Sequence, residues 1–284
     1  MDDLQITERT INIEQVFREK SEATARWIPG FVFAWLRRII HEKQINEFLY
    51  AHRDIIGLDF VEALIREFGV RLEVEGLEHI PRQGKALVAA NHPLGGLDGI
   101  ALMHVTGGIR PDIVFPVNDL LLFLPNLKPL FIPINKHGSN TDNIRIIHET
   151  FASDRLMLFF PAGLVSRRQN GVIADLEWKT TFITKARKYQ RDIIPTFIEG
   201  RNSSFFYTLA NLRKRIGIKA NIEMLFLPDE MFKQYNKTIR IIFGPPVPWQ
   251  TFDKRYTPAV WALKIREYVY SMREGEIKPF DPES

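Results

Sequence analysis

Short apolar runs recur along this 284-residue chain, at 70–75, 86–90, 112–117, 131–134, 156–160, 193–198 and 238–243. Runs of that length, bounded by turn residues, read as strands rather than as buried helices. The segments between them mostly carry helical spacing. That alternation predicts an α/β fold, a central mixed β-sheet flanked by helices. Before residue 70 the pattern differs. Residues 45–68 repeat apolar side chains at helical intervals, and Gly69 suits a helix C-terminal cap. The expected organisation is an N-terminal helical region, 1–69, followed by an α/β domain, 70–284.

One strand leads into a stretch that carries chemistry. Ala86–Ala90 runs straight into Asn91-His92-Pro93-Leu94-Gly95-Gly96-Leu97-Asp98-Gly99, and Ile100 to Val105 reads as the helix that follows. Strand-to-helix turns commonly carry active sites, because rigid flanks hold the loop. His92 offers an imidazole base, and Asp98 is close enough in sequence to orient it and stabilise its charged form. Gly95 and Gly96 allow close backbone approach. A glycine-rich turn with a satisfied histidine is the plain structural alternative.

Residues 26–40 contain an uncharged run from Trp27 to Leu36, flanked by Arg26, Arg37 and Arg38. The run is well short of the ~20 residues a membrane-spanning helix needs. Two tryptophans and flanking arginines suit a helix lying in a membrane interface; packing on the protein's own core is the other reading. The segment 209–227 is apolar but interleaved with Arg213, Lys214, Arg215 and Lys219, and could form a second membrane-facing surface. Net charge is +4, which suits an anionic surface. No zinc-ligand spacing or RNA-binding signature accompanies it, so neither a metal nor a nucleic-acid partner is expected. There is no cysteine, which excludes a thiol nucleophile and disulfides and suits a reducing compartment. The acidic start, Met1-Asp2-Asp3-Leu4, does not read as a secretory signal.

The string Asn91 to Asp98 resembles motif one of the PlsC-type glycerolipid acyltransferases, a His and an Asp separated by four residues. Here five intervene, as in the hemolysin-like and lyso-ornithine-lipid O-acyltransferase subgroup with its Asn-His-Pro-x-Gly-Gly pattern. Three further motifs follow in order. Phe131 to Lys136 stands where the family has a strand ending in an acidic-basic pair that contacts the acceptor; only Lys136 carries over. Phe159-Phe160-Pro161-Ala162-Gly163-Leu164-Val165-Ser166-Arg167-Arg168 is similar to Phe-Pro-Glu-Gly followed by Thr-Arg. The family's glutamate is Ala162 here, as in the subgroup, but the Glu the subgroup places after the Gly is Leu164. Residues 192–200 match the fourth, shape-giving motif. The resemblance covers roughly residues 70 to 250, four ordered motifs rather than one.

The resemblance implies acyl transfer from an acyl carrier protein or coenzyme A thioester to the hydroxyl of a lyso-lipid, with no bound cofactor and no metal. It gives His92 and Asp98 the catalytic roles. Substrate-binding positions would be Asn91, Gly95, Gly96, Lys136, Pro161, Ala162, Gly163, Ser166, Arg167 and Arg168. Ala162 favours a lyso-amino-acid lipid of the ornithine or glycine kind, whose carboxylate could meet Arg167 or Arg168; a lysophospholipid is the alternative. Asp175 is expected to cap the following helix or tether one of these arginines. The implied location is peripheral or monotopic, on the cytoplasmic face of the cell membrane. A membrane-perturbing protein without catalysis is the reading from another class.

Overall fold

The computed structural model describes residues 11–20, 22, 26–117, 124–133, 141–274 and 277–283. Four helices come first: α1 (Ile13–Lys20), α2 (Gly30–Ile39), α3 (Glu42–Ala51) and α4 (Leu58–Phe68). Then follow β1 (Arg71–Glu75), β2 (Ala86–Ala90), α5 (Gly96–Gly107), β3 (Phe115–Val117), β4 (Phe131–Pro133), α6 (Thr141–Ala152) and β5 (Met157–Phe159). The remainder is β6 (Arg167–Gln169), β7 (Val172–Ala174), α7 (Thr181–Tyr189), β8 (Asp192–Ile198), α8 (Ser204–Arg215), α9 (Leu227–Phe232), β9 (Thr238–Phe243) and α10 (Pro258–Ser271).

The main sheet has the order β1-β9-β8-β2-β5 and is mixed. β8 and β9 are antiparallel, whereas β2 runs parallel to both β8 and β5. A parallel bridge from Val114 to Met157 attaches the β3–β4 pair beyond β5. β2 is buried along its whole length, as its unbroken apolar sequence requires of a strand covered on both faces. Alternate side chains go to opposite cores. Val88 and Ala90 join a cluster with α4 and α5, including Phe60, Val61 and Leu102. Leu87 and Ala89 join another with α7 and α10, including Phe182, Trp261 and Ile265. The architecture is the expected one, a mixed sheet flanked by helices.

Two local expectations change. The helical spacing of 45–68 predicts one continuous helix, but the chain breaks between α3 and α4. Gly57 takes φ +64° there. Asn126 reaches into the break, donating to the carbonyls of His52 (3.0 Å) and Ile55 (2.7 Å). The break therefore depends on a residue seventy positions away. The second change is an unforeseen hairpin, β6–β7, after the Arg167-Arg168 pair. Its turn is Asn170-Gly171, with φ values of +49° and +82°, the dipeptide that type I′ turns favour.

The first helices build a small core of their own. Ile13, Phe33, Leu36 and Ile40 cluster together and pack Leu225 from the far end of the chain. Helix α4, by contrast, is buried in the first main cluster.

Candidate active site

Because β2, β5 and β8 are mutually parallel, their C-terminal ends open on the same edge of the sheet. Such edges are where α/β folds place ligands. β2 delivers Asn91 to Gly95, β5 delivers Phe160 to Arg168, and β8 delivers Gly200 to Ser203.

His92 and Asp98 meet. Nδ1 of His92 lies 2.9 Å from Oδ2 of Asp98. The carboxylate accepts, so Nδ1 carries the proton and Nε2 of the neutral ring keeps a lone pair. Nε2 has no hydrogen-bond partner among the described residues, and the ring is partly exposed while Asp98 is fully buried. Phe160 stacks on the imidazole with ring centres 4.1 Å apart and planes at 15°. The ring is thus held on one edge by a carboxylate and on one face by an aromatic, with Nε2 left without a protein partner among the described residues.

Asp98 owes its place to the start of α5. Its Oδ2 also accepts from the amides of Leu94 (2.8 Å) and Gly95 (3.0 Å). These bonds turn a helix-capping carboxylate toward the histidine. The turn needs Gly95, whose φ is +84° and whose Cα faces Leu227 so closely that a Cβ would lie 3.3 Å from its methyl. Asp98 Oδ1 is buried without a partner among the described residues. Burial pushes the Asp98 carboxyl above the ordinary aspartate range, opposed by the hydrogen bond and charge of His92 and by the two amides.

Asp175 organises the site from behind. It is buried. Its Oδ1 accepts from the backbone amide of His92 (3.1 Å) and from the Ser166 hydroxyl (2.6 Å). Its Oδ2 accepts from the Trp178 indole (2.9 Å). The amide of Ser166 donates to the His92 carbonyl at 2.8 Å. One carboxylate and one serine therefore tie the β2 loop to the β5 loop. Asp175 neither caps α7, whose N-cap is Thr180, nor tethers Arg167 or Arg168, which engage Glu223 and Thr208. Sequence spacing carries no signal for this, because the partners lie 83 and 9 residues away. Asn202, also not singled out by the sequence, donates to the Pro93 carbonyl at 3.1 Å and fixes the loop from the β8 side.

The other expected positions divide. Both ends of the Asn91 amide engage Ile198, donating to its carbonyl (2.8 Å) and accepting from its N–H (2.6 Å). Pro161 and Ala162 are buried, Ala162 within the second main cluster. Gly163 and Gly96 are exposed. Gly163 has φ +64°, and a Cβ there would come within 2.9 Å of the Lys179 ammonium nitrogen. Arg167 is buried and pairs with Glu223 at 2.8 Å, a carboxylate it shares with Arg213. Arg168 is half-exposed and donates to the neutral Thr208 hydroxyl at 3.0 Å. Lys136 lies outside the described residues. Among the described residues no three His, Cys, Asp or Glu side chains gather as metal ligands.

A buried acid holding a histidine whose second nitrogen has no hydrogen-bond partner among the described residues is equipped for proton transfer. An Acyltransferase family model matches residues 15–272. A lyso-glycine lipid O-acyltransferase of Bacteroides thetaiotaomicron is 47% identical over 264 residues, 92% of this chain and 97% of that protein. Its counterpart from Phocaeicola vulgatus is likewise 47% identical, over 92% of this chain and 95% of that one. The solved 1-acyl-sn-glycerophosphate acyltransferase PlsC of Thermotoga maritima superposes with a TM-score of 0.46 at 15% identity, covering 87% of this chain and 95% of that one. Matched along nearly its whole length, the chain belongs to the acyltransferase family and is an acyltransferase.

Proposed function

We propose that the chain moves a fatty acyl group from an acyl thioester to the hydroxyl of a lyso-amino-acid lipid, a lyso-glycine lipid in the first instance. The observation that carries the reading is the His92–Asp98 pair, whose Nε2 has no hydrogen-bond partner among the described residues. The two 47%-identical relatives, named as lyso-glycine lipid O-acyltransferases, support the acceptor class. A hydroxyl attacks a thioester poorly while protonated. As the acceptor oxygen bonds to the acyl carbon, Nε2 takes its proton and Asp98 stabilises the imidazolium. Collapse of the tetrahedral intermediate breaks the C–S bond, and Nε2–H returns the proton to the leaving thiolate. The ester forms, the thiol departs, and His92 is neutral again. The donor is an acyl carrier protein or coenzyme A thioester.

The acceptor carboxylate is assigned to Arg168. Arg167 is neutralised by Glu223, whereas Arg168 has only a neutral hydroxyl partner and a planar fork that fits a carboxylate. Residues 1–69 are proposed as the membrane-associating region, with the enzyme peripheral on the cytoplasmic face, where thioester donors are made. No helix among the described residues is long and apolar enough to cross a membrane.

Lipid mass spectrometry tests the reaction. Wild type and His92→Ala are expressed in a host lacking its own such enzyme but supplied with lyso-glycine lipid. The diacylated glycine lipid is expected only with wild type. A change confined to phospholipids would move the acceptor to a lysophospholipid. No response in either class, with protein and acceptor present, would overturn the transferase reading.

Asp175 supplies a second test. An Asn at 175 keeps one oxygen for the His92 amide and the Ser166 hydroxyl. Its NH2 then faces the Trp178 indole N–H, donor against donor. Asp175→Asn is expected to lower kcat on the order of 10–100-fold through misplacement of the His92 loop, with KM for the donor little changed. Asp175→Asn/Trp178→Phe removes the clash and is expected to recover most of the rate in steady-state kinetics. No recovery would mean that the Asp175 charge itself is needed.

A further inference from the structure

The outward side of α2 is apolar and aromatic. Phe31 (75% exposed) and Trp35 (51%) lie one helical turn apart, and Trp27 (88%) precedes them on the turn before the helix. The inward side, Phe33 and Leu36, is buried. The stripe does not end at the helix edge. The Trp35 ring meets Phe226 edge-on at 6.0 Å, and Phe226 meets Phe205 of α8 at 5.0 Å. Along α8 the exposed apolar line continues from Phe205 to Leu212 and Ile216, the latter 62% exposed. These positions fall on one helical face, opposite the buried Phe206 and Ala210. Two elements nearly two hundred residues apart thus present one apolar surface.

Cations accompany it. Arg26, Arg38, Lys214, Arg215 and Lys219 are exposed and make no ion pair among the described residues. Glu14 and Glu42 on the neighbouring helices pair with Arg37, and Glu223 with Arg167 and Arg213. An apolar, tryptophan-bearing face with unneutralised cations is complementary to an anionic lipid surface.

We propose that α2 and α8, joined through Phe226, form a single docking face for anionic phospholipid membranes. The inference rests on the lyso-lipid reading only in what it explains: α8 begins at Ser203, next to the Asn202 that holds Pro93 beside His92. Docking through α8 therefore brings the catalytic loop to the surface in which a lyso-lipid acceptor lies. It also extends the lipid contact beyond the N-terminal region, to a helix deep in the α/β domain.

The experiment is vesicle flotation of the full chain. Wild type, Phe31→Ser/Trp35→Ser and Leu212→Ser/Ile216→Ser are each mixed with vesicles of equal phosphatidylglycerol and phosphatidylcholine, or of phosphatidylcholine alone. Each double variant is expected to bind the anionic vesicles about tenfold or more weakly, and wild type is expected to prefer the anionic vesicles and to release as salt is raised. Circular dichroism and turnover of a short-chain, soluble lyso-glycine lipid should match wild type in both variants. Undiminished flotation of Leu212→Ser/Ile216→Ser overturns the proposal, as does a wild type that floats equally with both vesicle types. A wild type that sediments as a dimer, with monomeric variants, overturns it in favour of a second copy on this face. Absence of turnover on the soluble acceptor by wild type counts against the transferase reading instead, and leaves flotation to judge the docking face.

Discussion

His92→Ala is expected to lower kcat by about 10²–10⁴-fold, the range that a positioned general base supplies, while KM for the thioester changes little. The residue contributes a lone pair at Nε2, and nothing else in the described site offers a neutral base at that position. Phe160 stacks on the ring and Asp98 is buried beneath it, so neither can reach the acceptor hydroxyl in its place. The measurement is the initial rate of thiol release followed with a thiol reagent. The chain has no cysteine, so every thiol detected comes from the donor. A rate within a few-fold of wild type, with the variant folded, would remove His92 from the chemistry and favour a protein that binds lipid without transforming it.

Asp98→Asn is expected to approach the same loss. The Asn oxygen can still accept from the amides of Leu94 and Gly95, so the start of α5 should keep its shape. The same oxygen can still accept from His92 Nδ1, so what disappears is the charge that stabilises the imidazolium. Because Asp98 acts through His92, the double variant His92→Ala/Asp98→Asn should be no slower than His92→Ala alone. Stability should move the other way. Burial raises the Asp98 carboxyl above its unfolded value, against the hydrogen bonds it receives. A raised folded-state pKa means that protonation favours the fold. That contribution is fully present below the unfolded value of about 3.9 and is lost as pH rises through the folded value. Asn does not titrate. The Tm of Asp98→Asn relative to wild type is therefore expected to rise as pH is raised from about 4. A difference that stays flat, or falls, would show that the buried carboxylate is compensated by something other than His92 and the two amides.

Much of this protein was legible in the order of its residues. The strands near 86–90, 156–160 and 193–198 were visible because a strand covered on both faces must be largely apolar, and a run of five or six such residues has few other uses. The His92–Asp98 pairing was legible because it is local: six residues separate the partners, and a glycine-started helix folds one onto the other. The same locality made the Asn170-Gly171 hairpin readable in principle. The resemblance placed Asn91, Ser166 and Arg167 among the substrate-binding positions. Each carries a side chain suited to a ligand, and each has its polar groups engaged by protein partners.

Only the tertiary structure decided which groups are free. Asp175 reaches His92 across 83 residues, Asn202 reaches Pro93 across 109, and Asn126 reaches His52 across 74. The first two pairings follow from three parallel strands ending on one edge, and the third from Asn126 meeting the break between α3 and α4; no periodicity or spacing encodes which segments will meet. The apolar stripe of α2 shows the same division. Its amphipathic character was written in the order of its residues. That its outward side continues across Phe226 onto α8, rather than ending at the helix, depends on a packing contact between segments nearly two hundred residues apart. Local sequence determines which side chains a helix or strand presents together, whereas burial and pairing belong to the whole chain, because both are set by what the fold brings alongside.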